Sequence, residues 1–263
     1  MFTSEEIARY YTILRVVVGS KLYGTDNAES DVDEMGVFVE PIEYVAGFSE
    51  IEQHIAQKRD AAGVMITESK IYSLRKFLRL ALDGNPDVTP VLFVPESLHT
   101  VSRPLGTQMQ ALYPHIVSRK SGVKFLGYME SQRQRMLGER GQKKVNRPEL
   151  LAKYGFDTKY AMQLLRLGIN GVELLTTGRL QFPMTSKDRT SLKDVREGRV
   201  SLNDILQQAG DLARQLKDAI DVSPLPAEGN SALVEDWMVT TYYRQWRDDL
   251  FRMEIDDRVA GIQ

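Results

Sequence analysis

No cysteine occurs in this chain of 263 residues, so disulfide staples and thiolate metal sites are excluded. Histidine is nearly as scarce, and His54, His99 and His115 stand far apart. That scatter argues against a zinc site and leaves oxygen donors for any metal. Long apolar runs are missing too: no window approaches the ~18 uninterrupted apolar residues that mark a membrane span. The first residues, MFTSEEIARYYTILRVVVGS, lack the basic head and apolar stretch of a signal peptide. A cytoplasmic protein with no membrane partner is expected. Neither sign of charge dominates, with 34 Lys and Arg against 36 Asp and Glu, so any polyanionic partner has to be sought in local charge.

What is present suits a chain with a substantial core, since 42% of the residues are hydrophobic. The first part mixes strand and helix signals. A helix capped by Ser4 is predicted over 4–12, strands over 14–18, 34–40 and 64–70, a short helix near 42–46 and an extended segment around 49–57. Over 71–83, Ile71, Leu74, Phe77, Leu78 and Leu82 share one helical face, and Gly84-Asn85-Pro86 stops the helix. VTPVLFVP then reads as a short buried segment. From about residue 105 helical periodicity takes over, with helices predicted at 105–113, 119–140, 157–177, 186–197, 201–220 and 231–257. Residues 141–156 read as a basic connection and 221–230 as a Pro/Gly loop. The expected fold class is α+β: a small mixed sheet with helices over 1–104, followed by an all-helical part over 105–263.

The stretch VVVGSKLYGTDNAESDVDEMGVFVE carries the chemistry. Asp31 and Asp33 are two positions apart, so on a strand both project from one face. Close carboxylates raise each other's proton affinity unless a cation sits between them, and a hard ion such as Mg²⁺ suits that donor set. Gly19-Ser20, at the end of an apolar strand, offers backbone N–H groups and a hydroxyl to a phosphate. Lys21 either adds charge there or is solvated. A D-x-D alone is commonly a solvated strand edge. The joint pattern G-S-x-x-x-G-T-x(5)-D-x-D, flanked by apolar strands, is far more specific.

This pattern resembles the nucleotidyltransferase superfamily that includes DNA polymerase β. The chain is especially similar to the predicted nucleotidyltransferases of RNA-repair systems, and that similarity continues through IYSLRKFLRLALDGNPDVTPVLFVP and YGFDTKYAMQLLRLGINGVELLTTGRL. The resemblance implies metal-dependent transfer of a nucleoside monophosphate from an NTP, with residues 1–104 as the catalytic domain and 105–263 as a helical nucleotide- and acceptor-binding domain. It puts Gly19 and Ser20 on the phosphate-binding turn and Asp31 and Asp33 on Mg²⁺ or Mn²⁺. Glu68 falls where relatives carry a third carboxylate, Asp; its arm is longer by one methylene, about 1.5 Å. As metal ligand or general base it would complete the set. Its other reading is a surface glutamate favoured by a nearby helix dipole.

Substrate contacts are sought among basic residues. Arg75, Lys76 and Arg79 share a helix face that is either solvated or substrate-facing, and Asn85 either meets a nucleotide or caps the helix. Between 132 and 166, Lys and Arg recur with Tyr154, Phe156 and Tyr160 interleaved, a mixture that can grip phosphates and stack on bases. Lys153, Lys159 and Arg166 are candidates for the incoming nucleotide, and Lys143, Lys144 and Arg147 for the acceptor. A solubilising role is the alternative for these lysines. The acceptor expected is an RNA end such as that of tRNA; the alternatives are a protein acceptor, or a catalytically silent nucleotide or RNA sensor.

Overall fold

The computed structural model describes residues 2–27, 30–139 and 147–260, with side chains up to residue 249. Helix α1 (Ser4–Tyr10) leads into strand β1 (Thr12–Val17), the short helix α2 (Gly19–Tyr23), β2 (Val32–Phe38), α3 (Ile42–Val45), β3 (Gln53–Arg59), β4 (Met65–Ser73) and α4 (Leu74–Leu82). A 3₁₀ turn at Thr89–Phe93 precedes β5 (His99–Ser102). The helices α5 (Pro104–Ala111), α6 (Tyr113–Ile116), α7 (Arg119–Met136), α8 (Pro148–Tyr154), α9 (Thr158–Thr177), α10 (Ser186–Arg196), α11 (Leu202–Val222) and α12 (Ser231–Ala260) follow. Among the described residues no helix is long and apolar enough to cross a membrane.

The strands form one mixed sheet in the order β3-β4-β2-β1-β5. β1 is antiparallel to both β2 and β5, whereas β2 runs parallel to β4 with Asp33 opposite Glu68, Met35 opposite Lys70 and Val37 opposite Tyr72. Because side chains alternate along a strand, Asp33, Met35 and Val37 share one face with Glu68, Lys70 and Tyr72. Val37 and Tyr72 join Leu14, Val16 and α4's Leu74, Phe77 and Leu78 in a continuous apolar cluster that extends into α7, α9, α11 and α12. On the opposite face Phe38 and Ile71 pack under Ile7 and Ala8 of α1.

Several boundaries differ from the sequence expectation. Thr3, not Ser4, caps α1 through a capping box with Glu6. Residues 71–73 extend β4 rather than opening a helix. Ile71 and Tyr72 continue the ladder with Gly36 and Val37, and the Ser73 side chain then accepts from the Lys76 N–H at 3.3 Å to start α4. Ile71 therefore belongs to the α1 side of the sheet. β5, only four residues long, has too little alternation to be legible alone. The basic connection contains α8, whose Pro148 occupies the first helical position.

Candidate active site

The site forms where β1 ends. The Val18 N–H donates to the Asp33 carbonyl at 2.8 Å, and Gly19 turns the chain into α2 with φ +62°. A Cβ at this position would land on the Asp33 carboxylate, so glycine is what lets the turn close over that side chain. Thr25 N–H bonds the Ser20 carbonyl at 3.0 Å, returning the chain toward Asp31, which lies one residue ahead of β2. Asp33 stands in β2 beside Glu68 on the parallel strand.

Charge links the same residues. Burial first, and then the charge of Asp31, push the Asp33 carboxyl above the usual range; Glu68 adds to the push, while Lys159 and Arg166 pull it back. Asp33 thus feels the charge of a carboxylate just ahead of its own strand and of one on the neighbouring strand. Among the described residues no three His, Cys, Asp or Glu side chains are close enough to hold an ion as they stand. The set is gathered electrostatically without forming a closed coordination shell. Its all-oxygen chemistry is of the kind a hard divalent cation prefers.

The opposing wall is α9. Asp157 caps this helix, accepting from the N–H groups of Lys159 at 2.9 Å and Tyr160 at 3.3 Å. Lys159 and Arg166 follow at a spacing of two turns and so share a face. The Arg166 guanidinium lies 4.0 Å from the ring centroid of Tyr23 on α2, a cation–π contact that fixes it over the turn. Its Nε is enclosed without a hydrogen-bond partner, as is the Nε of Arg189, whose side chain packs on Gly24. Orphaned guanidinium donors beside a glycine turn suit an anion with many oxygens.

Other expected residues are placed differently. Lys21 pairs with Asp26 at 3.8 Å. Lys153, exposed on α8, lies 4.9 Å over the Tyr154 ring. Arg147 is engaged by Asp157 at 2.6 Å and lies over the Tyr160 ring at 5.0 Å. Lys143 and Lys144 lie outside the described residues. On α4, Lys76 and Arg79 pair with Glu52 at 2.7 and 3.7 Å, and Asn85 donates to Tyr128 at 3.0 Å. Two residues near the site escaped sequence reasoning: Arg189, which packs on Gly24, and Lys70. Only Lys70, two places after Glu68 on the same strand face, had a signal to find it by.

The RNA repair pathway DNA polymerase beta family, RlaP, matches residues 2–224. The chain belongs to that family. RlaP proteins are DNA polymerase β-like nucleotidyltransferases, and the matched span contains all the site residues above but ends before α12. An uncharacterised 38.9 kDa protein of Enterobacteria phage T4, from the nrdC-mobD intergenic region, is 33% identical over 91 residues, covering 33% of this chain and 27% of that protein. The chain thus spans about a quarter of the length of that relative. A nucleotidyltransferase-like protein from Exiguobacterium sibiricum 255-15 aligns with 83% of this chain and 71% of its own at 12% identity and a TM-score of 0.30.

Proposed function

We propose that this RlaP-family chain transfers a nucleoside monophosphate from an NTP to an RNA end such as that of tRNA. The observation that carries this reading is Gly19, whose missing side chain seats the phosphate-binding turn directly on Asp33, with Glu68 alongside. The acceptor oxygen bonds to the α-phosphorus, the bond to the bridging oxygen breaks, and pyrophosphate leaves. Ser20 and the backbone N–H groups of the turn bind phosphate oxygens. Lys159 and Arg166 neutralise the triphosphate from the α9 side, joined by Arg189, with Lys153 as a further phosphate contact. Asp31, Asp33 and Glu68 would hold Mg²⁺ or Mn²⁺, which when bound offsets the charge developing on the leaving group. Glu68 takes the acceptor's proton. Residues 1–104 act as the catalytic half and 105–263 as the binding half. Arg147 serves through its hold on the cap of α9, and Lys143 and Lys144 are assigned to acceptor contacts.

Incubation with α-labelled NTPs, Mg²⁺ and a pool of cellular RNA and protein tests this. Label is expected in RNA, and Asp31→Ala with Asp33→Ala abolishes it. Label in protein instead would replace the acceptor. A double variant that labels as well as wild type would remove the site assignment.

A further inference from the structure

Arg166 carries a charge that no carboxylate holds. Among the described residues its side chain makes no hydrogen bond and no ion pair. Only its Nε is enclosed, so the two terminal nitrogens stay open to solvent with their N–H groups unspent. An arginine stem left to itself samples many rotamers. What holds this one is the Tyr23 ring, whose centroid lies 4.0 Å from the guanidinium carbon.

Tyr23 is itself firmly seated. It is 6% exposed, and the Phe182 ring meets it edge-on with the centroids 5.3 Å apart. The next residue, Gly24, leaves no room for movement either: a Cβ there would stand 2.7 Å from Arg189 Cδ and 3.3 Å from Pro183 Cβ. Tyr23 is also the last residue of α2, the helix that opens with Gly19-Ser20. Four residues of helix separate Gly19 from Tyr23, ~6 Å along the axis. One helical turn and one ring contact therefore fix the guanidinium relative to the turn, at a separation that a triphosphate chain can bridge.

We propose that Tyr23 is a positioning residue for NTP binding: it holds Arg166 ready, so that the Gly19-Ser20 turn and the α9 cation meet the same triphosphate. The assignment rests on the nucleotidyltransferase reading and deepens it. Tyr23 is buried and reaches the phosphates only through Arg166, so its contribution is to affinity and not to bond making. A cation already placed loses less freedom when its anion arrives. The ring supplies that placement without neutralising the charge, as a carboxylate partner would.

Calorimetric titration of the full chain with each NTP in Mg²⁺ gives Kd, and transfer to RNA gives kcat. Tyr23→Phe keeps the ring and is the reference, with a Kd within about twofold of wild type. Tyr23→Leu, and a ring-fluorinated phenylalanine installed at the same position, should each weaken NTP binding by about tenfold, with kcat at saturating NTP within about twofold. Fluorination withdraws electron density from the ring face with little change of shape, which separates the hold on Arg166 from packing. It also carries the test if circular dichroism shows the leucine variant misfolded. In an Arg166→Met background, itself weak in NTP binding, neither change should add more than about twofold. Three results overturn the role of Tyr23 and leave the nucleotidyltransferase reading standing: a fluorinated variant that binds NTP as tightly as Tyr23→Phe, losses that multiply with that of Arg166→Met, or a fall in kcat with Kd unchanged. Wild-type NTP binding by Arg166→Met removes the contact on which the role depends. If the wild-type chain neither binds nor transfers any NTP, the functional reading fails and this assignment with it.

Discussion

Gly19 meets two demands at one position: a left-handed backbone and a Cβ direction occupied by the Asp33 carboxylate. Alanine would pay about 1–2 kcal/mol for the backbone and would also displace a carboxylate on which positioning depends. Gly63, in the β3–β4 turn, has φ +83° and open space around it, so it isolates the backbone effect. Gly63→Ala is therefore expected to lower the melting temperature by a few degrees and leave transfer unchanged. Gly19→Ala should show a similar melting shift but lose about 100-fold in rate, the scale of a ~1 Å misplacement at a reacting centre. Equal rates for the two variants would contradict the seat described for Asp33.

At the level of elements, α9 links fold and site, because the residue that starts the helix also sets the height of Lys159. Asp157 is 3% exposed and holds two backbone N–H groups with one oxygen and Arg147 with the other. Asp157→Asn keeps the cap and weakens the ion pair, whereas Asp157→Ala removes both. Loss of the cap costs about 1 kcal/mol, so the alanine variant should be less stable than the asparagine one by about that amount in urea titration. Both should raise the KM for NTP more than they lower kcat, since α9 binds rather than reacts. A change in kcat alone would argue against this role. This helix was legible in the sequence because periodicity and an Asp-Thr start agree, and Gly19-Ser20 with Asp31 and Asp33 were legible as candidates because four residues of three types stand at a fixed spacing. The β4–α4 junction was not: Ile71 fits either a helix face or a strand face, and only pairing with Gly36 decides it. Arg189 reaches Gly24 through packing between distant segments, which leaves no local pattern.

For the whole molecule, the decisive joint lies outside the family match, where α12 returns to the sheet. Glu40, 3% exposed just after β2, accepts from the Leu74 N–H at 3.0 Å and the Tyr242 hydroxyl at 2.6 Å, both on Oε2. Trp246 donates to the Glu40 carbonyl at 3.0 Å and stacks on Tyr242. One side chain thereby ties the start of α4 to α12. Burial raises the pKa of Glu40 despite these hydrogen bonds, so its folded form holds a proton more tightly than the unfolded chain, where a Glu titrates near ~4.3. Stability from this group is fully present below that unfolded pKa and is lost as pH rises through the raised folded value. Glu40→Gln keeps an acceptor for both donors without a charge, so its unfolding free energy should decline less than wild type between about pH 5 and 8. Glu40→Ala leaves two buried donors unpaired, at about 1–3 kcal/mol each, and should be less stable at every pH. Urea titrations at the two ends of that range measure both effects. Parallel wild-type and Glu40→Gln curves would mean that burial of this carboxyl does not set the pH response of the α12 joint.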